Sequence, residues 1–105
     1  MAPAINNKND ILARLHSNRH RLTALGVDKL GPFGSFVHGN QRSDSDVDLL
    51  VSFQTGKKTF DVFMDLCFFL EEILGRNVHV VTVESLSPYI GPHILDEVEY
   101  VDLAA

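Results

Sequence analysis

The chain is predicted to fold as a single α/β (α+β) domain over residues 1–105, a small mixed β-sheet with helices packed on it. Three observations carry that expectation. Its 105 residues fit one domain and leave little for a second. Its composition, 45% hydrophobic and 22% charged, is that of an ordinary globular chain rather than a disordered or low-complexity one. Its hydrophobic pattern runs helix, strand, strand, helix, strand, helix, the alternation that lays helices on a sheet.

Residues 7–25 read as the first helix. Leu12, Leu15, Leu22 and Leu25 fall at helical spacing with Ile11 beside them, Asn7 caps the start, and Gly26 suits the left-handed residue that ends a helix. Residues 29–36 read as a short strand. Pro32 makes this stretch irregular or places it at an edge, because proline cannot donate to a ladder. Val47 to Phe53, β-branched or apolar apart from Asp48 and Ser52, reads as a second strand. Thr59 caps a helix over 60–74, which Gly75 ends. On that helix Phe63, Leu66, Cys67, Leu70, Ile73 and Leu74 share one face, so Cys67 is expected to be buried and inert. Asp61, Asp65 and Glu72 share the other face with Phe68. An aromatic ringed by carboxylates marks a partner surface, unless the C-terminal segment folds over it. Val78 to Val83 reads as a third strand. Ser87-Pro88 opens a helical stretch that Gly91-Pro92 weakens or splits, and Ile94 to Val98 continues it before a short extended tail.

Several function classes drop out. No apolar run approaches the roughly 18 residues of a membrane span. The start shows no apolar stretch of signal-peptide length, and a cytoplasmic protein is the simplest reading. One cysteine excludes an internal disulfide or a multi-cysteine zinc site. A net charge of −5 argues against direct nucleic-acid binding. The charge is uneven: residues 1–58 carry eight Lys/Arg against five Asp/Glu, net +3, and residues 59–105 carry Arg76 alone against nine acids, net −8. His16 and His20 are one helical turn apart but have no third ligand in view, and no P-loop or Gly-x-Ser-x-Gly elbow is present.

The chemistry concentrates in Gly34–Val51. Asp46 and Asp48 are two apart at a strand, so both side chains leave the same face. Two adjacent carboxylates repel unless a cation lies between them, and Mg²⁺ is commonly held by one or two carboxylates plus substrate phosphates. Gly34-Ser35 and Gly39 supply the complement: glycine lets backbone approach a phosphate, and N–H groups with a hydroxyl hold it. Either part alone is a common turn or strand end. About ten residues apart, across a strand–turn–strand, they describe a nucleoside triphosphate site.

This segment resembles the Gly-Ser…Asp-x-Asp signature of the DNA polymerase β-like nucleotidyltransferase superfamily. More narrowly it is similar to the minimal nucleotidyltransferases, the MNT or MntA-like antitoxins. The resemblance runs through Phe33-Gly34-Ser35-Phe36, Ser45-Asp46-Val47-Asp48-Leu49-Leu50-Val51, Leu74-Gly75-Arg76-Asn77-Val78 and Leu86-Ser87-Pro88-Tyr89-Ile90. It implies the nucleotidyltransferase fold, Mg²⁺, ATP as substrate, and transfer of AMP to a hydroxyl, a tyrosine in the antitoxin members, on a HEPN-domain toxin partner. It assigns phosphate binding to Gly34 and Ser35, with His38, Gly39 and Ser45 alongside, and metal binding to Asp46 and Asp48. Two positions depart. His38 stands where the family often has arginine, and His79 stands where its third carboxylate begins the last strand. An imidazole can take a proton but is a poor Mg²⁺ ligand. His79 is therefore expected to lie near the two aspartates, to act as the base and to limit the rate. The alternative expectation is a catalytically weak protein of this fold that neutralises a HEPN partner by covering it.

Overall fold

The computed structural model describes residues 4–104. Met1–Pro3 and Ala105, and with them the ends of the domain expected over 1–105, lie outside the described residues. Three strands form one mixed sheet in the order β1-β2-β3: β1 (Val27–Phe33) is antiparallel to β2 (Val47–Phe53), and β3 (Val78–Thr82) is parallel to it. The middle of the central strand is buried on both faces, which is why Leu49-Leu50-Val51 reads as a continuous apolar run. Val47, Leu49 and Val51 face a large core made with Ile11 and Leu15 of α1 (Lys8–Ser17), Leu22 of α2 (Arg19–Ala24), and Leu66, Leu70 and Leu74 of α4 (Phe60–Leu74). Leu50 faces a smaller core with Phe33 and with Ile94 of α5 (Gly91–Glu97). Side chains alternate along a strand, so Asp48 shares the Leu50 face and looks toward α5. Each fully buried leucine contributes about 1.5–3 kcal/mol.

The helix over 60–74 matches the expectation at both ends. Thr59 accepts from Val62 N–H at 3.1 Å, and Gly75 closes the helix in the left-handed region. Cys67 is half-buried rather than buried; its surroundings, with Glu71 adding to them, push the thiol up and disfavour the reactive thiolate.

Four expected boundaries are corrected. The first helix is two, broken at Asn18, whose amide side chain donates to Arg14 O at 2.8 Å. Asparagine competes with the helix ladder through such local bonds. The first strand spans 27–33 rather than 29–36, because Gly34 turns the chain into a single helical turn, α3 (Ser35–His38). The third strand ends at Thr82, and Val83–Ser85 forms a 3₁₀ turn. Gly91-Pro92 opens α5 rather than splitting a helix; a first-turn proline gives up only an N–H that has no helical partner.

The segment after α5 lies along the outer edge of β1. Glu99 N–H donates to Pro32 O at 3.1 Å and Val101 N–H to Leu30 O at 2.9 Å. Leu30 and Pro32 point their backbone groups outward, so the N–H that proline lacks is not one β2 needs. Gly31 makes this approach possible: a Cβ there would run into the Glu99 carbonyl and lie 2.7 Å from Tyr100 Cα. Lys8 pairs with Glu99 at 2.7 Å, and Lys29 sits over the Tyr100 ring. Phe68 stays 62% exposed, so the C-terminal segment does not fold over it. No helix among the described residues is long and apolar enough to cross a membrane.

Candidate active site

The site lies where β1 ends, β2 begins and β3 begins. β1 runs into Gly34, which adopts φ 78°, ψ −141° and precedes α3. That conformation is close to one that only glycine occupies readily. It also leaves room for a neighbour: a Cβ on Gly34 would lie 2.5 Å from Asp48 Oδ2. Glycine at 34 is thus required by the carboxylate beside it as much as by the turn. Val37 and His38 donate backbone N–H groups to Gly34 O, both at 3.1 Å, and Gly39 ends the turn in the left-handed region. Nothing lies within 4 Å of a Cβ built on Gly39, so its contribution here is conformational.

Asp48 is paired across the sheet with Phe33 on one side and His79 on the other. The parallel register brings His79 Nδ1 to 3.3 Å from Asp48 Oδ1. The expected meeting of these two residues is therefore observed. Burial raises the proton affinity of Asp48 above the ordinary aspartate range. The hydrogen bond and charge of His79 act in the opposite direction, and Asp46 and Glu97 add to the rise. Asp46, just ahead of β2, is exposed and opens onto a cleft of about 530 Å³ shared with Asp44, Glu71, Arg76 and Asn77.

Ser35 begins α3 and is half-exposed. Ser45 has its hydroxyl engaged within the loop, accepting from Arg42 N–H at 2.8 Å. His38 contacts Glu97 through Nε2.

Two residues not singled out for the site from sequence shape it. Arg76 donates to Ser45 O at 2.9 Å, to Arg42 O at 3.2 Å and to Ile5 O at 2.8 Å, and stacks on Phe36. It ties down the loop that leads into Asp46. Its isolation as the one base among nine acids in residues 59–105 is the signal that it has a special place. Glu97, at the end of α5, accepts from Gly34 N–H at 3.2 Å and touches His38. No motif marks it; only the fold brings it here.

Among the described residues no group of three or more His, Cys, Asp or Glu converges as a metal cage. Asp46 lies close enough to Asp48 to act on its charge, and Asp48 is lined by the His79 imidazole, so these two carboxylates are the candidates for holding a cation.

The model of the nucleotidyltransferase domain family matches residues 14–101. The protein adenylyltransferase MntA of Thermococcus cleftensis is 42% identical over 76 residues, 72% of this chain and 76% of that protein. The solved structure of a minimal nucleotidyltransferase superimposes with a TM-score of 0.78 at 30% identity, covering 92% of this chain and 98% of that one. A toxin–antitoxin crystal structure with AMP-PNP superimposes with a TM-score of 0.61 at 20% identity, covering 84% of this chain and 73% of that one, a likeness of fold alone.

Proposed function

Because the chain belongs to the nucleotidyltransferase domain family, and is on that ground an enzyme, we propose that it transfers AMP from ATP to a hydroxyl of a partner protein. The acceptor is a tyrosine of a HEPN-type toxin, and the transfer makes this chain an antitoxin. The observation that carries the reading is the position of Asp48, held between the glycine of the Gly34-Ser35 turn and the head of β3. Phosphate-binding backbone and a cation-binding carboxylate are then one site. The name of the Thermococcus cleftensis relative supports protein as the acceptor.

In this mechanism Gly34 N–H, the Ser35 hydroxyl and His38 hold the β- and γ-phosphates. Gly39 and Ser45 keep the flanking loop in shape. Asp46 and Asp48 hold Mg²⁺, which when bound neutralises triphosphate charge. The acceptor oxygen bonds to the α-phosphorus while the bond to the β-phosphate oxygen breaks, releasing pyrophosphate. His79 takes the acceptor's proton. Incubation with ATP, Mg²⁺ and the product of the adjacent gene, followed by mass measurement, tests this. AMP must appear on the partner and not on a partner whose acceptor tyrosine is replaced by phenylalanine.

The His79–Asp48 contact also favours a second reading, a weak enzyme that acts chiefly by covering its partner. His79→Asp separates the two. A third carboxylate is expected to raise Mg²⁺ affinity and transfer rate about tenfold, equivalent to ~1.4 kcal/mol. If transfer stays undetectable in the variant, the covering role prevails. If a fast wild type is slowed, His79 has a positive catalytic role that the family resemblance did not anticipate.

The partner surface follows from α4. Asp61, Asp65, Phe68 and Glu72 are all exposed along one stripe, so a partner with a basic rim around an apolar slot fits it. Phe68→Ser is expected to weaken association with the toxin by about 2 kcal/mol, the cost of an aromatic anchor, with thermal unfolding unchanged. A drop of many degrees in melting temperature would instead make Phe68 part of the core.

A further inference from the structure

We propose that Glu97 is a built-in competitor for the phosphate site, a carboxylate that an entering triphosphate must displace. The inference rests on the nucleotidyltransferase reading and adds a residue outside its motif. Glu97 divides its two oxygens between two donors: Oε1 accepts from Gly34 N–H at 3.2 Å, and Oε2 meets His38 Nε2. These are two of the groups assigned to the triphosphate. A backbone N–H and an imidazole bind a carboxylate and a phosphate through the same chemistry.

Other features separate this contact from an ordinary surface pair. Only 22% of the Glu97 side chain is exposed, and no Lys or Arg pairs with it among the described residues. It lies close enough to Asp48 to disfavour that residue's charged form, so it adds negative charge where a polyanion must enter. That arrangement gives little to a resting structural contact. It discriminates among ligands, since a triphosphate that also binds through a cation at Asp46 and Asp48 makes enough contacts to displace the carboxylate, and a lone phosphate does not.

The exchange is a side-chain event. Ile94 is buried against Phe33 and Leu50, Val98 packs into the same cluster, and Glu99 N–H is bonded to Pro32 O. The backbone on both sides of Glu97 is therefore anchored, and rotation about its side-chain bonds releases Gly34 and His38 without moving α5. Glu97 thus sets affinity and selectivity for the triphosphate, as a specificity-determining residue rather than a catalytic one.

The test is the dissociation constant for AMP-PNP with Mg²⁺, and for inorganic phosphate, in the full chain. Wild type, Glu97→Gln, Glu97→Ala and Asp48→Asn are compared by calorimetry. Glu97→Gln keeps the size and removes the charge; Glu97→Ala removes the group and stands in if the first variant misfolds. Both are expected to bind AMP-PNP about tenfold more tightly and to gain measurable phosphate binding, while Asp48→Asn loses Mg²⁺-dependent binding. Unchanged or weaker AMP-PNP binding in both Glu97 variants, with wild type binding normally, overturns the competitor role and leaves the nucleotide site standing. No binding by any folded variant overturns the nucleotide site itself, and the competitor role with it.

Discussion

Asp48→Asn is expected to abolish Mg²⁺-dependent AMP transfer, with a loss of at least about 100-fold, the upper range for disturbing even an indirect metal contact. Asp46→Asn is expected to do the same, because the described chain offers a cation no third carboxylate cage to fall back on. The fold is expected to survive. Asparagine keeps the shape of Asp48 and still accepts from His79, while removing a charge that burial disfavours. The sign of the pH dependence follows. The proton affinity of Asp48 is higher in the folded chain than in the unfolded one, so the folded state holds a proton that the unfolded state has lost. Its favourable contribution is complete below the unfolded value of about 3.9 and is lost as pH rises through the raised folded value. Wild type therefore loses stability relative to Asp48→Asn as pH rises through the raised folded value. Thermal unfolding of both proteins between about pH 3 and 7 measures this. A melting temperature for Asp48→Asn well below wild type at neutral pH, or undiminished Mg²⁺-dependent nucleotide binding in the double variant, would falsify the assignment.

Gly34→Ala is the second large effect, and it strikes stability and activity together. At φ 78°, ψ −141° the backbone is strained for any residue with a Cβ, and the added methyl falls 2.5 Å from Asp48 Oδ2. The strain alone is worth about 2 kcal/mol, roughly 8–16 °C in melting temperature for a chain of this size. The clash must also be relieved, either by turning the Asp48 carboxylate away or by opening the β1–β2 pairing at Phe33 and Asp48. Either response removes the carboxylate from beside the phosphate-binding turn. Transfer is therefore expected to fall to the level of Asp48→Asn, with a lowered urea midpoint that Asp48→Asn does not show. If Gly34→Ala melts within a degree or two of wild type and keeps its activity, the close approach of Asp48 to Gly34 is not a feature of the working site.

The parts of the fold legible in sequence are those with local causes. β2 is an apolar run closed by polar residues, and α4 carries its own cap at Thr59 and its own stop at Gly75. The pairing of Asp48 with His79 is expected from the family resemblance alone; strand parity by itself sets no register between β2 and β3. The misplaced boundaries share a different cause. Nothing local distinguishes residues 34–36 as a continuation of β1 from a helical turn; the choice depends on the backbone angles that Asp48 and Gly34 permit together. The break at Asn18 depends on a side-chain bond invisible to periodicity. For the site, the turn and the two aspartates lie within fifteen residues and announce themselves as a pattern. Arg76 and Glu97 act across separations of 31 and 63 residues, through carbonyls and an amide that any sequence would possess.

The chain segment beside β1 has a consequence for assembly. An unpaired strand edge is a template on which other chains can add, productively or as aggregates. Glu99 and Val101 occupy that template on β1. Among the described residues β3 pairs only with β2, so the sheet keeps one growing edge and it is the strand that carries His79. At five residues β3 is short, as tolerated edges usually are. Any extension of this sheet by a strand from another chain is thereby directed to the side on which the proposed mechanism brings the acceptor to His79, so on that reading addition at the edge and access to Asp48 compete on one strand.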